Sequence, residues 1–193
     1  MGLLSNILLL TAASAAVAET AAPATPKITS ITFSGNGCAR DPKFSGSFND
    51  PTVTFNNFAA SLPGSQTLNC QVHLQANGAS PGWQVALKTN VVKGRVLLSP
   101  GTTLTHYTTV FFSQDAGRSD TISGTVSNSG GDTVNHGVTL VANADGGKVW
   151  SPCTGSDGYT GIMNINFRGA LAGDGKAHFV ADTEQWDLEW RRC

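Results

Sequence analysis

Leu68-Asn69-Cys70-Gln71-Val72-His73-Leu74-Gln75 alternates apolar and polar side chains without a break. Successive side chains of a strand point to opposite faces, so this stretch reads as a strand with one face buried and the other open. Trp83-Gln84-Val85-Ala86-Leu87-Lys88 nearly repeats the pattern. Working outward, further strands are expected at 28–33, 52–58, 93–98, 102–112, 120–126, 138–141, 148–153, 161–167 and 177–190. Between them stand Asn77-Gly78, Pro100-Gly101, Asp115-Ala116-Gly117, Gly130-Gly131-Asp132, Asp145-Gly146-Gly147, Asp157-Gly158 and Gly173-Asp174-Gly175. These residues tolerate the backbone of tight turns. Many of the 22 glycines fall at such points, which argues against long helices. Thr, Val and Phe fill the runs between, as a pleated half-buried surface prefers. Short strands with frequent turns predict an all-β fold, an antiparallel β-sandwich of about ten strands, Ig-like or jelly-roll-like.

The 193-residue chain opens with an apolar run that passes through alanines to Ala16-Val17-Ala18 before Glu19. That is a secretory signal peptide over 1–18, with cleavage expected between Ala18 and Glu19. Residues 19–27 are mostly Ala, Thr and Pro and have little to bury, so they read as a flexible arm. Residues 28–193 are then a single secreted domain, large enough for one core. No later segment approaches the ~20 apolar residues that a membrane span needs.

Export to an oxidising compartment turns the cysteines into a framework. Cys38, Cys70, Cys153 and Cys193 form an even set, and such a set allows three pairings. Cys38 with Cys70 and Cys153 with Cys193 is favoured, because each bridge closes a moderate loop and the second ties down the final strand. Cys38 with Cys193 and Cys70 with Cys153 stays open. No CxxC or clustered Cys/His spacing suggests zinc.

Composition removes several function classes. The net charge is −1 and only 13% of residues are charged, so nothing offers a basic surface to nucleic acid. His73, His106, His136 and His178 lack metal-binding spacing. An oxidase that chelates copper through an N-terminal histidine is excluded if cleavage leaves Glu19 first. Asn143-Ala144-Asp145-Gly146 and Ser156-Asp157-Gly158 resemble fragments of calcium loops but lack the bidentate Glu. Neither a cofactor nor a metal is expected.

Gly78-Ala79-Ser80-Pro81-Gly82 matches the G-x-S-x-G of an esterase nucleophile elbow. That motif needs a helix after the serine, whereas here a strand follows at Trp83, so a hairpin loop is expected. A glycosidase needs two carboxylates facing each other across a cleft. Asp174, Asp182, Glu184, Asp187 and Glu189 are available, but spacing alone brings no two of them together. In the final strand Trp186, Leu188 and Trp190 share one face and Asp187, Glu189 and Arg191 the other, which reads as a core strand with a solvated outer face. No catalytic set is expected.

The strand Ile28-Thr29-Ser30-Ile31-Thr32-Phe33-Ser34-Gly35 leads to Gly37-Cys38 and is followed by Thr54-Phe55-Asn56-Asn57-Phe58 and Asn69-Cys70-Gln71-Val72-His73-Leu74. Trp150-Ser151-Pro152-Cys153 and Leu188-Glu189-Trp190-Arg191-Arg192-Cys193 complete the order. This arrangement resembles the domain of unknown function 4360, a family of small secreted proteins found mainly in fungi. The resemblance covers about Ile28 to Cys193 and lies in the surroundings of the cysteines. It implies a secreted β-rich domain of the kind counted among fungal effectors and wall-associated proteins, and it brings no catalytic residues. The chain departs from the family pattern at Ala39-Arg40-Asp41-Pro42, where an idealised member has proline directly after the cysteine.

Two functions follow as expectations. The first is a secreted, non-catalytic interaction protein, an effector or elicitor acting on an extracellular partner at a host or cell-wall surface. The alternative is a carbohydrate-binding or carbohydrate-active domain whose partner is a polysaccharide. The candidate surface-binding aromatics are Trp83, Trp150, Trp186 and Trp190, which would have to lie flat at the surface to stack on sugar rings.

Overall fold

The alternating stretches become strands, and the turn residues become their connections. A computed structural model of the chain describes residues 23–38 and 42–193. The leader, the Ala18–Glu19 cleavage site, the start of the arm and Ala39-Arg40-Asp41 lie outside the described residues. In chain order the strands are β1 (Lys27–Ser34), β2 (Lys43–Ser47), β3 (Asp50–Leu62), β4 (Thr67–Asn77) and β5 (Trp83–Leu98). They continue with β6 (Thr103–Phe112), β7 (Ser119–Ser127), β8 (Val134–Asn143), β9 (Ile162–Ala172) and β10 (Ala177–Arg192). One 3-10 turn, Ser113–Asp115, follows β6.

Two five-stranded sheets result, ordered β1-β4-β9-β6-β7 and β2-β3-β10-β5-β8. Every pairing is antiparallel. The sheets meet through their apolar faces. Phe58 and Phe179 of the second sheet enclose Phe167 of the first, with ring centroids 5.2 Å apart for Phe58–Phe167 and 6.4 Å for Phe167–Phe179. All three rings are fully buried. Each contributes roughly 2 to 3 kcal/mol by leaving water, so this cluster anchors the sandwich.

The expected all-β sandwich is therefore present, with three local differences. Lys43-Phe44-Ser45-Gly46-Ser47 forms β2, too short and polar to show a pattern, and it is held by pairing along β3. The strands expected at 83–88 and 93–98 are one strand, β5. Residues 148–153 form no strand. They run irregularly beside the start of β5, where Ser151 N donates to Val85 O and Thr154 N to Trp83 O.

The bridges join Cys38 to Cys70 and Cys153 to Cys193, which removes the rival pairing. The first ties the end of β1 to β4. The second ties the irregular 148–153 segment to the residue after β10, where Cys193 N also donates to Gly82 O.

Two register shifts decide what enters the core. Along β10 the shift between Ala181 and Thr183 exchanges the faces, so Phe179 and Ala181 point inward before it and Glu184, Trp186 and Leu188 after it. On β5 the shift opposite Asp187 and Leu188 does the same, so Leu87 is followed inward by Asn90. A bulge inserts one extra residue and inverts the alternation beyond it. Here the two bulges place Asn90 directly across from Trp186 and turn a carboxyl, Glu184, into the sandwich.

Candidate functional site

Pairing in the first sheet fixes the composition of its outer face. Val72 and Leu74 of β4, Ile165 and Phe167 of β9, and Leu104 and Val110 of β6 point inward and are buried. Their neighbours along each strand must point out. One row across the sheet is Thr32, His73, Asn164, Phe111 and Ser119, and the next is Ser34, Gln71, Asn166, Thr109 and Thr121. A third is Asn69, Arg168, Tyr107 and Ser123, followed by Thr105 with Thr125 and Thr103 with Ser127. None of these positions holds a carboxylate.

Hydroxyl and amide groups bond one another across the strands. The pairs Thr103–Ser127, Thr105–Thr125 and Thr109–Thr121 stand at 3.1, 3.3 and 2.8 Å, and Asn69 Nδ2 donates to Asn166 Oδ1 at 3.2 Å. The Arg168 guanidinium lies 4.2 Å from the centroid of Tyr107. With strands about 4.8 Å apart and outward residues about 6.8 Å apart along each strand, the face is a regular comb of donors and acceptors.

One corner has the wiring of a hydrolase relay. Asn164 Nδ2 donates to Ser113 Oγ at 2.8 Å and to Ile162 O at 3.1 Å, which fixes its amide and leaves Oδ1 to accept. His73 Nδ1 therefore donates to Asn164 Oδ1 at 2.6 Å, and its Nε2 shares a hydrogen bond with the Ser34 hydroxyl, 3.0 Å away. A nucleophile also needs donors converging on the oxyanion. The nearby ones are committed: Asn69 Nδ2 to Asn166, Gly37 N to Asn69 O, and Asn69 N to Asn36 Oδ1. The relay thus orders the imidazole, and the donors named beside it already have partners. A fluorophosphonate probe should leave Ser34 unlabelled in the folded protein. Labelling of Ser34 that disappears in His73→Gln, read by peptide mass spectrometry, would show a nucleophile and refute this.

The four tryptophans separate. Trp83 and Trp186 are buried at 7% and 1% exposure, so neither presents a ring face at the surface. Trp150 and Trp190 are half-buried. Trp190 donates its Nε1 proton to Asn49 Oδ1 at 3.0 Å and packs against Phe48. Trp150 lines a groove of about 380 Å³ with Gln84, Asp115, Arg118, Lys148 and Arg191.

The candidate carboxylates are also dispersed. Asp187 pairs with Lys88 at 2.9 Å and Glu189 with Lys148 at 2.8 Å, so each faces a lysine. Glu184 is wholly buried and accepts from Asn90 Nδ2 at 3.0 Å, while the same amide donates to Thr108 Oγ1 at 2.6 Å. Its Oε2, Asn90 Oδ1 and Trp186 Nε1 have no hydrogen-bond partner of full geometry. Burial pushes the Glu184 carboxyl up to about 7, with Trp186 and Asn90 offsetting part of the rise. His106, also buried, is held below its ordinary value by the same desolvation. Its ring occupies the space that a side chain on Gly124 would need.

Ser80 of the G-x-S-x-G stretch sits in the β4–β5 loop, accepts Ala24 N at 3.0 Å, and is followed by β5, with no helix. Among the described residues, no group of three or more His, Cys, Asp or Glu is placed to hold a metal. Nor is any helix among them long and apolar enough to cross a membrane. Sequence reading sought the surface through tryptophan and so missed the comb of Ser, Thr and Asn; the signal that could have found it is Thr103-Leu104-Thr105-His106-Tyr107 set against Thr121-Ile122-Ser123-Gly124-Thr125.

Fold and surface together define a disulfide-bonded antiparallel β-sandwich with one broad polar sheet face. Residues 24–193 match the family described as Domain of unknown function (DUF4360), and the chain belongs to it. No protein of curated function matches the sequence. Among solved structures, TmCBM61 in complex with β-1,4-galactotriose is 13% identical, with 86% of this chain and 91% of that chain covered and a TM-score of 0.24. Another, from work on promiscuous carbohydrate-binding modules of the β-sandwich superfamily, is 12% identical, with 84% and 57% covered and a TM-score of 0.27. The enzymatically active domain of bacteriophage CBA120 tailspike protein 4 is 11% identical, with 88% and 19% covered and a TM-score of 0.23. Likeness at this level carries no argument about function.

Proposed function

We propose that this protein is a non-catalytic glycan-binding domain that works outside the cell. The observation that carries the reading is the outer face of the first sheet: interleaved hydroxyl and amide groups around Tyr107 and Phe111, with no carboxylate among them. A polysaccharide offers the complementary chemistry, hydroxyls that both donate and accept and C–H faces that pack on aromatic rings. Protein partners favour contiguous apolar patches, and Val141 is the one large hydrophobic residue exposed among the described residues, at 50%. That favours a glycan over a host protein as the partner. The two bridges suit an oxidising compartment, in keeping with a secreted chain.

Retention on insoluble cellulose, chitin, β-glucan and xylan tests the reading. At least one polymer should retain the protein, and Tyr107→Ala should weaken that retention roughly tenfold while melting as the native protein does. Absence of retention on all four, or equal retention of Tyr107→Ala, would refute the assignment of this face.

A further inference from the structure

The groove at the end of β10 differs in kind from the sheet face. Along β10 the outward residues Asp187 and Glu189 are each neutralised by a lysine, Lys88 and Lys148. The next outward residue, Arg191, makes no ion pair with any described residue. Its guanidinium lies 4.0 Å from the centroid of Trp150, and its Nε proton goes to Gln84 Oε1 at 3.1 Å. Gln84 is itself anchored, since its Nε2 donates to Ser151 O at 2.8 Å. Stacking and the amide hold the planar cation in place and leave the Nη edge for a ligand. Across the groove Asp115 pairs with Arg118 at 3.2 Å.

Counting Glu189 with its partner Lys148, the cations Arg118, Lys148 and Arg191 outnumber the anions Asp115 and Glu189 by one. The unbalanced charge is Arg191. A fixed guanidinium is the group that recognises a carboxylate in a planar, two-point manner. We infer that the Trp150–Arg191 groove is a subsite for one carboxylate on an otherwise hydroxylated ligand, namely a uronic acid residue of a glycan. Val149, Trp150 and Pro152 supply apolar surface for the sugar ring, and Gln84, Lys148 and Arg118 supply donors for its hydroxyls. The Asp115 carboxylate opposes a second negative charge. A densely acidic peptide therefore fits less well than a sugar carrying one acid. The volume of about 380 Å³ lies at the small end of ligand sites, sufficient for a short oligosaccharide segment.

This inference rests on the glycan-binding reading for its ligand class, and the two fail separately. Loss of all polysaccharide retention refutes the sheet face, whereas the groove is tested by two soluble sugars that differ in one acid. Calorimetric titration should compare a xylo-oligosaccharide bearing a single glucuronic acid branch with the same oligosaccharide unbranched, and polyglutamate with both. The branched sugar should bind roughly tenfold more tightly than the unbranched one, and the difference should shrink between about 50 mM and about 500 mM NaCl. Arg191→Gln, with its fold checked by melting, should abolish the difference, and Arg191→Lys should restore part of it. Equal binding of the two sugars by the native protein, a preference surviving in Arg191→Gln, or polyglutamate binding as tightly as the branched sugar would overturn the inference. Equal binding of the two sugars by the native protein overturns the inference even if the substituted proteins do not fold.

Discussion

Replacing Cys153 and Cys193 together by serine is expected to lower the unfolding free energy by about 4 kcal/mol. The bridge closes a loop with a sequence separation of 40, and opening it returns that loop's freedom to the unfolded chain. The loss is a large share of the roughly 5 to 15 kcal/mol that holds a domain together. It also has a local side. The Arg191–Trp150 and Arg192–Trp83 stacks, 4.0 and 4.4 Å from ring centroid to guanidinium, are made by the last two residues of β10, immediately before the bridge. Freed from Cys153, the end of β10 should fray and take both stacks with it. Urea unfolding at constant pH measures the first effect, and amide exchange at 189–192 the second. An unchanged midpoint would mean that pairing with β5 alone holds this end of the strand.

The second large effect is a pH dependence set inside the sandwich. Glu184 ionises near 4.5 when unfolded and at about 7 when folded. Between those values the folded protein keeps a proton that the unfolded chain has released. Stability is therefore full below about pH 4.5, falls as pH rises through about 7, and is level beyond, a loss on the order of 3 kcal/mol. His106 acts in the opposite sense: held neutral by burial, it costs stability as pH falls below 6.5. Comparison with Glu184→Gln isolates the carboxyl, because the amide keeps the shape and cannot ionise. Urea unfolding from pH 5 to pH 8 should show the native protein losing stability relative to Glu184→Gln as the pH rises. Parallel pH profiles for the two proteins would refute a buried, neutral Glu184.

That carboxyl also marks where the sequence stops being legible. Trp186, Leu188 and Trp190 could be put on one face because they follow the β10 bulge, and Leu68 to Gln75 could be read because β4 pairs with β9 without a shift. The same rule applied from Phe179 onward turns Glu184 to solvent. A bulge costs one residue and leaves no mark in the hydrophobic pattern, so the interior triad of Asn90, Thr108 and Glu184 could not be foreseen. Residues 148–153 misled for a related reason. Val149 does pack against the core and Trp150 against Arg191, but the segment is irregular chain whose bonds to Val85 and Trp83 are too few to form a ladder. The polar face was hidden differently. Which Ser, Thr and Asn lie side by side depends on strand order, and β9 lies between β4 and β6 only once the chain is folded.

Strand order has a consequence for how the protein is made. β10 follows every other strand in the chain, yet it lies between β3 and β5 and bonds to both. During synthesis the second sheet therefore waits in two unjoined pieces, β2 with β3 and β5 with β8, each with a bare hydrogen-bonding edge and a share of the phenylalanine surface exposed. β10, the strand that joins them, comes after both pieces exist. The most vulnerable interval is the one before β10 inserts, and there a chaperone that shields strand edges has most to contribute.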